Sequence, residues 1–321
     1  MSKPLLSVSG LGISTVQDPR ALVNSVSFEI MPGEAVGVVG ESGSGKTLTA
    51  LSILGLLPRG VAIAGGSIEF NGTDLTKADP ETMRNLRGSD ISMVYQDPMT
   101  ALNPVMKLGR QLLEVIESHE KLDDNSVARV EAALREVGIP QVERAMESYP
   151  HEFSGGMRQR VMIAMALLLS PKLLIADEPT TALDVTIQQQ ILALVSEQRR
   201  KRDMSMLWIT HDLGVVANLV DRLILMYAGN IVEAGTVQEI FTNPQHPYTH
   251  GLLSSLPSRT DKSRKRLTSI PGVPQKPWLV GNTCAFAPRC FKATSECTAS
   301  APKLVGTLEK SVACVHPMGD K

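Results

Sequence analysis

The stretch Gly40-Glu41-Ser42-Gly43-Ser44-Gly45-Lys46-Thr47 has the G-x-x-x-x-G-K-[ST] spacing of a phosphate-binding loop. It follows the apolar run Ala35–Val39 and precedes Leu48–Leu54, which reads as a helix. Gly40, Gly43 and Gly45 let successive backbone N–H groups, that of Ser42 among them, turn on an anion. The helix behind adds a partial positive charge of about +0.5. Lys46 would reach the β- and γ-phosphates of a nucleotide, and the Thr47 hydroxyl would hold Mg²⁺. A second chemical pair, Asp177-Glu178, ends the apolar run Leu173–Ala176. There Asp177 can hold Mg²⁺ through a water while Glu178 polarises an attacking water. Taken singly, each pattern has a plainer reading, as a glycine turn or as a surface acid pair.

The elements that must position these groups are legible in outline. Leu5–Leu11 and Ala21–Ile30 alternate as strands, and Gly65–Leu75 reads as a short strand running into an Asn71-Gly72 hairpin turn. Ile91–Tyr95 is a further strand. From Met106 to about Met146 the apolar residues recur at helical spacing, through Leu112, Leu113, Val115 and Ile116, then Val127, Val130, Ala133, Leu134 and Val137. Ser154-Gly155-Gly156 opens another helix, and Val185 to about Arg202 is an amphipathic one. Its Arg199-Arg200-Lys201-Arg202 end reads as a solvated terminus complementing the helix dipole. Met204–Asp212 is a strand ending at His211, and Leu223–Glu233 a hairpin turning at Gly229-Asn230. The α/β core closes near Phe241. A charged, proline-rich linker, Arg259–Pro277, leads to a cysteine-bearing tail.

With 321 residues the chain is long enough for about two domains. A net charge of −1 supplies no basic field for nucleic acid, so no nucleic-acid partner is expected. Met1–Leu6 lacks the apolar segment of a signal peptide, and the longest apolar runs, such as Val161–Leu169, are about half of what a membrane-spanning helix needs. A cytoplasmic location is expected, with any membrane link made through a partner. Aromatic residues are only 4% of the chain, so the core must rest on aliphatic side chains.

Phe153-Ser154-Gly155-Gly156-Met157-Arg158-Gln159-Arg160 resembles the signature motif of ATP-binding-cassette (ABC) ATPases, with Phe and Met in place of the usual Leu and Gln. Its physics repeats the phosphate loop: a hydroxyl, close-approaching glycine backbone and a helix N-terminus aimed at an anion. Thr181-Ala182-Leu183-Asp184 resembles the D-loop of that family, His211 its switch histidine and Gln96 its Q-loop glutamine. The resemblance covers about residues 5–241, with every motif in family order. It implies a P-loop, RecA-like α/β core with an antiparallel β-subdomain and an inserted helical subdomain at about residues 97–168. It also implies that two cassettes pair head to tail, in a homodimer or a heterodimer. ATP is then held by the phosphate loop of one chain and by Ser154, Gly155, Gly156 and Asp184 of the other. Gln96 would join Thr47 and Asp177 around Mg²⁺, Glu178 would orient the water, and His211 would sense the γ-phosphate. One departure is the segment Thr15–Arg20, which lacks the aromatic residue that the family usually stacks on adenine, so base binding uses an apolar residue such as Val16 or is weak.

Gln96–Pro104, Tyr149–Met157, Ala182–Thr186, His246–Thr249 and Ser269–Pro274 are similar to segments of the ATP-binding subunits of bacterial dipeptide, oligopeptide and nickel importers. The implied role is to power import of a peptide-like solute. The implied partners are two membrane permease subunits and a solute-binding protein acting through them. The chain would sit on the inner face of the membrane, divided into an ATPase domain, 1–241, and a C-terminal extension, 242–321. All four cysteines, Cys284, Cys290, Cys297 and Cys314, fall in that extension, spaced C-x5-C-x6-C-x16-C. A chain that needs no disulfide suggests a metal site here. The spacing lacks the C-x2–4-C pairs that zinc favours and suits a [4Fe–4S] cluster. Similar tails in the importer branch carry such a cluster; Zn²⁺ and free thiols are the alternatives.

Overall fold

The computed structural model describes residues 3–97, 101–181, 183–256 and 269–319. Pro98-Met99-Thr100 of the importer-like stretch, Ala182 of the D-loop-like turn and residues 259–268 of the expected linker lie outside them. The strands, in chain order, are β1 (Leu6–Thr15), β2 (Ala21–Ile30), β3 (Ala35–Val39), β4 (Val61–Phe70), β5 (Thr73–Asp74), β6 (Ile91–Val94), β7 (Leu173–Asp177), β8 (Ser205–Thr210), β9 (Arg222–Tyr227), β10 (Asn230–Thr236), β11 (Val305–Gly306) and β12 (Lys310–Val312). The chain divides into two compact units. One takes in the chain up to Met31, Ala35–Lys77 and everything from Trp208 on; the other comprises Pro32–Glu34 and Ala78–Leu207.

In the first unit β1 is the centre of an antiparallel sheet ordered β2-β1-β4-β5. Leu6 faces Ile30 on one side and Phe70 on the other, and all three are buried. Alternation then changes phase: Leu6 and Val8 point inward, and so do Leu11 and Ile13, because the register shifts between Val8 and Leu11. The expected Asn71-Gly72 turn joins β4 to β5. A second set of strands runs β11-β12-β10-β9-β3. Here β3 and β9 are parallel and buried along their whole length, as two-sided coverage requires. The β9–β10 hairpin turns at Ala228-Gly229, one residue earlier than expected, because Tyr227 pairs with Asn230 and places both in the ladder. The C-terminal tail contributes β12, whose Lys310–Val312 pairs with Glu233–Gly235 of β10.

In the second unit β6 and β7 pair in parallel, with Ile91 opposite Leu173 and Val94 opposite Ala176. The expected helical block resolves into the helices Leu108–Glu117, Ser126–Glu136 and Val142–Glu147. Leu112, Ile116, Val130, Ala133, Leu134 and Val137 are buried as the periodicity predicts, whereas Val127 faces solvent. The helix Val185–Arg202 ends at Asp203 in a left-handed conformation. Its basic end is not simply solvated. Arg199 donates from Nη2 to the Gly33 carbonyl at 2.6 Å, and Arg202 pairs with Glu136 and donates to the Leu167 carbonyl and Ser170. Two of the four cations therefore tie backbone that the helix alone would leave open.

Candidate active site

The phosphate loop links β3 to the helix Lys46–Ile53. Gly43 and Gly45 take positive φ, so the intervening N–H groups turn to one side and form an anion-binding concavity. Gly40 admits no side chain, since a Cβ there would collide with the Met226 carbonyl. Lys46 is buried, and its ammonium donates to the Gly40 carbonyl at 2.7 Å and the Glu41 carbonyl at 3.1 Å. Ser42, Gly43 and Thr47 are exposed on the loop. Ser44 was not singled out by the sequence. Its hydroxyl is buried without a hydrogen-bond partner among the described residues, an orphan that an anion in the concavity would satisfy. The same unit carries His211 at the end of β8, exposed and followed by Asp212, whose carboxylate caps the next helix through Gly214 N–H. Val16 is exposed beyond the end of β1.

The second unit carries the remaining candidate residues. Asp177 is the buried last residue of β7. The chain then turns through Glu178 at φ 46°, a left-handed conformation that costs a non-glycine residue about 1–3 kcal/mol and is concentrated at functional sites. Two donors meet its Oε2, Thr181 Oγ1 at 3.0 Å and Gln96 Nε2 at 3.4 Å. Ser154 caps the helix Gly155–Leu167 by accepting the Met157 N–H at 3.3 Å, and Asp184 caps Val185–Arg202 by accepting those of Thr186 and Ile187. Both therefore leave a helix N-terminus beside an exposed polar group. The two signature glycines differ. A Cβ at Gly155 would meet nothing nearer than 3.9 Å, whereas one at Gly156 would strike Ile187 Cγ2 at 2.7 Å. Gly155 has space for a side chain, whereas Gly156 is packed tightly against Ile187.

The four cysteines of the tail line one pocket together with His246 and His316, and none is in a disulfide. Burial pushes the thiols of Cys284, Cys290 and Cys314 up, and their cysteine neighbours push the same way. A bound cation would reverse that balance and favour the thiolates. Among the described residues no group of three or more His, Cys, Asp or Glu side chains is gathered closely enough to hold a metal ion as it stands. His316 Nε2 is engaged by Thr294 Oγ1 at 2.8 Å and Glu296 at 3.2 Å.

Phosphate loop, strand-end acids and signature turn on this mixed α/β framework define an ABC ATPase. Residues 23–181 match the ABC transporter family, and residues 232–297 match the oligopeptide/dipeptide transporter C-terminal region. The oligopeptide transport ATP-binding protein OppD of Bacillus subtilis (strain 168) is 52% identical over 84% of this chain and 76% of its own length. The dipeptide transport ATP-binding protein DppD of the same organism is 50% identical over 89% and 86%. Among solved structures, cbiO1 from Clostridium perfringens, described as part of the ABC transporter complex cbiONQ, superposes with a TM-score of 0.67 at 26% identity, covering 75% of this chain and 92% of that one. The chain belongs to the ABC transporter family, in the group of ATP-binding proteins that carry the oligopeptide/dipeptide transporter C-terminal region. Its chemistry is that of an ATP-hydrolysing transport ATPase. No helix among the described residues is long and apolar enough to cross a membrane.

Proposed function

We propose that this chain hydrolyses ATP to drive import of peptides of the dipeptide or oligopeptide class through a membrane permease. The observation that carries it is the presence, in one chain, of an ABC ATPase domain and the oligopeptide/dipeptide transporter C-terminal region. The relatives' names supply the solute class. The loop of Gly40, Ser42, Gly43 and Gly45 would cradle the phosphates, and Lys46 would balance their charge. Mg²⁺, when bound, neutralises the β- and γ-phosphate oxygens; Thr47, Gln96 and Asp177 would hold it. Glu178 would orient the attacking water, and His211 would contact the γ-phosphate. Ser154, Gly155, Gly156 and Asp184 would serve the ATP of a second cassette, in a heterodimer or a homodimer. Val16 would take the apolar face of the adenine.

The remaining partners are two permease subunits, which would hold the chain at the inner face of the membrane, and a solute-binding protein acting through them. Residues 1–241 would form the ATPase domain, including a helical insert at about 97–168, and 242–321 the extension. Cys284, Cys290, Cys297 and Cys314 would hold a [4Fe–4S] cluster, with Zn²⁺ as the alternative occupant; the shared pocket and the four thiols support this reading. The test is uptake of labelled dipeptides and oligopeptides by vesicles holding the full transporter. ATP-dependent uptake that disappears with Lys46→Ala is expected. ATP-driven uptake of a different solute class, with none of peptides, would overturn the proposed substrate.

A further inference from the structure

Glu41, the second residue of the phosphate loop, is held at every polar group. Its N–H donates to the Tyr248 hydroxyl at 3.0 Å. Its carbonyl accepts from Lys46 Nζ at 3.1 Å and from the Ser44 N–H at 3.2 Å. Its carboxylate receives a two-pronged contact from Arg289, Nη1 to Oε2 at 2.6 Å and Nη2 to Oε1 at 3.1 Å. Tyr248 and Arg289 both lie well outside the ATPase motifs, and Arg289 immediately precedes Cys290 of the thiol pocket.

Arg289 is itself fully committed. Its side chain is 4% exposed. Beyond the two bonds to Glu41, Nε donates to the Pro271 carbonyl at 2.8 Å, Nη1 to the Tyr227 hydroxyl at 3.3 Å and Nη2 to the Ile270 carbonyl at 3.3 Å. A guanidinium has five N–H donors in a rigid fork, and each has an acceptor here. The floor beneath is aromatic: Tyr227, Tyr248 and Phe286 are buried, and each pair of rings lies within 5.4 Å. An exposed ion pair holds nothing in place; a buried, fork-to-fork pair with every donor used does.

We infer that Arg289 is a positioning residue for nucleotide binding: through the Glu41 carboxylate it fixes the Glu41 carbonyl that orients the Lys46 ammonium, and so couples the phosphate loop to the cysteine-bearing tail. This rests on the reading of Gly40–Thr47 as the ATP site. Removing the guanidinium leaves a half-buried carboxylate without its partner, free to swing toward solvent and carry the loop backbone with it. Lysine keeps the charge but loses the fork, so it restores only part of the function.

The experiment uses the full chain and a fluorescent ATP analogue, with steady-state hydrolysis and hydrogen exchange of peptides covering Gly40–Thr47. Arg289→Ala is expected to weaken nucleotide binding and raise KM for ATP roughly tenfold, while kcat at saturating ATP stays within about twofold. Arg289→Lys should fall between, and exchange in the loop should quicken in the same order. Adding Glu41→Ala to Arg289→Ala should cost little more than either change alone, since both break one contact. An unchanged KM and loop exchange in Arg289→Ala, with only the melting temperature lowered, would overturn the inference. Fully additive single effects would do the same. If Arg289→Ala fails to fold, Glu41→Gln gives the same readout from the loop side. Failure of the wild-type chain to bind the analogue would instead reject the ATP site itself.

Discussion

Gln96 Nε2 lies 3.4 Å from Glu178 Oε2, and Thr181 Oγ1 reaches the same oxygen at 3.0 Å. Two donors on one carboxylate oxygen fix the orientation of the Glu178 side chain. Glu178→Gln removes the charge and preserves the shape. Phosphate release should fall by at least about a hundredfold, the scale of losing a general base. Binding of ATP should persist, and size measurements with ATP present should favour a closed dimer. Turnover near the wild-type rate would remove Glu178 from the role of water-orienting base.

The two signature glycines differ in how closely their surroundings pack. Gly156→Ala puts a methyl group 2.7 Å from Ile187 Cγ2, an overpacking expected to cost about 1–3 kcal/mol in denaturant unfolding. Gly155→Ala makes only an ordinary contact with Leu183 at 3.9 Å and should change stability by less than about 0.5 kcal/mol. If a second cassette's ATP meets the Gly155 backbone, as proposed, the effect of this substitution should appear in hydrolysis. Equal stability losses in the two variants would contradict this division.

Stability should fall in mild acid through His246. Burial lowers this imidazole to about 3, so above that pH it is neutral and accepts the Tyr248 N–H on Nδ1 at 3.0 Å. In the unfolded chain it titrates near 6.5. The unfolded state therefore binds the extra proton between these values. The contribution is complete above about pH 6.5 and is lost as pH drops toward 3, by about 1.4 kcal/mol per pH unit. Glu233 works the other way, because burial raises its carboxyl above the usual range and folding then favours its protonated form as pH falls. His246→Asn retains a capping acceptor without the titration, so its urea unfolding should show a flatter pH profile. A wild-type slope in that variant would assign the acid loss elsewhere.

Protein purified without oxygen should carry about four irons per chain and absorb broadly near 400 nm if the four thiols hold a [4Fe–4S] cluster. Cys297→Ser, which replaces a buried thiol in the pocket, should lower the iron content and the melting temperature together. Elemental measurement of zinc alone would decide for the other metal.

The motifs with a backbone mechanism were legible in the sequence. Gly40–Thr47, Ser154–Gly156 and Asp177-Glu178 fall where strand, loop and helix were expected, because glycine spacing and apolar runs encode local geometry. Contacts between residues distant in sequence were not legible. Nothing in the order of residues links Glu41 to Arg289, or reveals that the Ser44 hydroxyl is buried without a partner among the described residues. Arg199 and Arg202 read as solvated helix-end charges because periodicity places a residue on a face and does not say which carbonyl waits there. Val127 fits the apolar spacing yet faces solvent, since that spacing continues beyond the stripe its neighbours cover.

The pairing of Lys310–Val312 with Glu233–Gly235 bears on how the chain tolerates shortening. Stopping near Phe241, at the end of the nucleotide-binding motifs, would strip β10 of its outer neighbour and leave a row of N–H and C=O groups open to solvent. An uncovered edge of that kind invites strand addition by another chain. A truncated protein would thus be liable to aggregate during expression even with all its catalytic motifs intact.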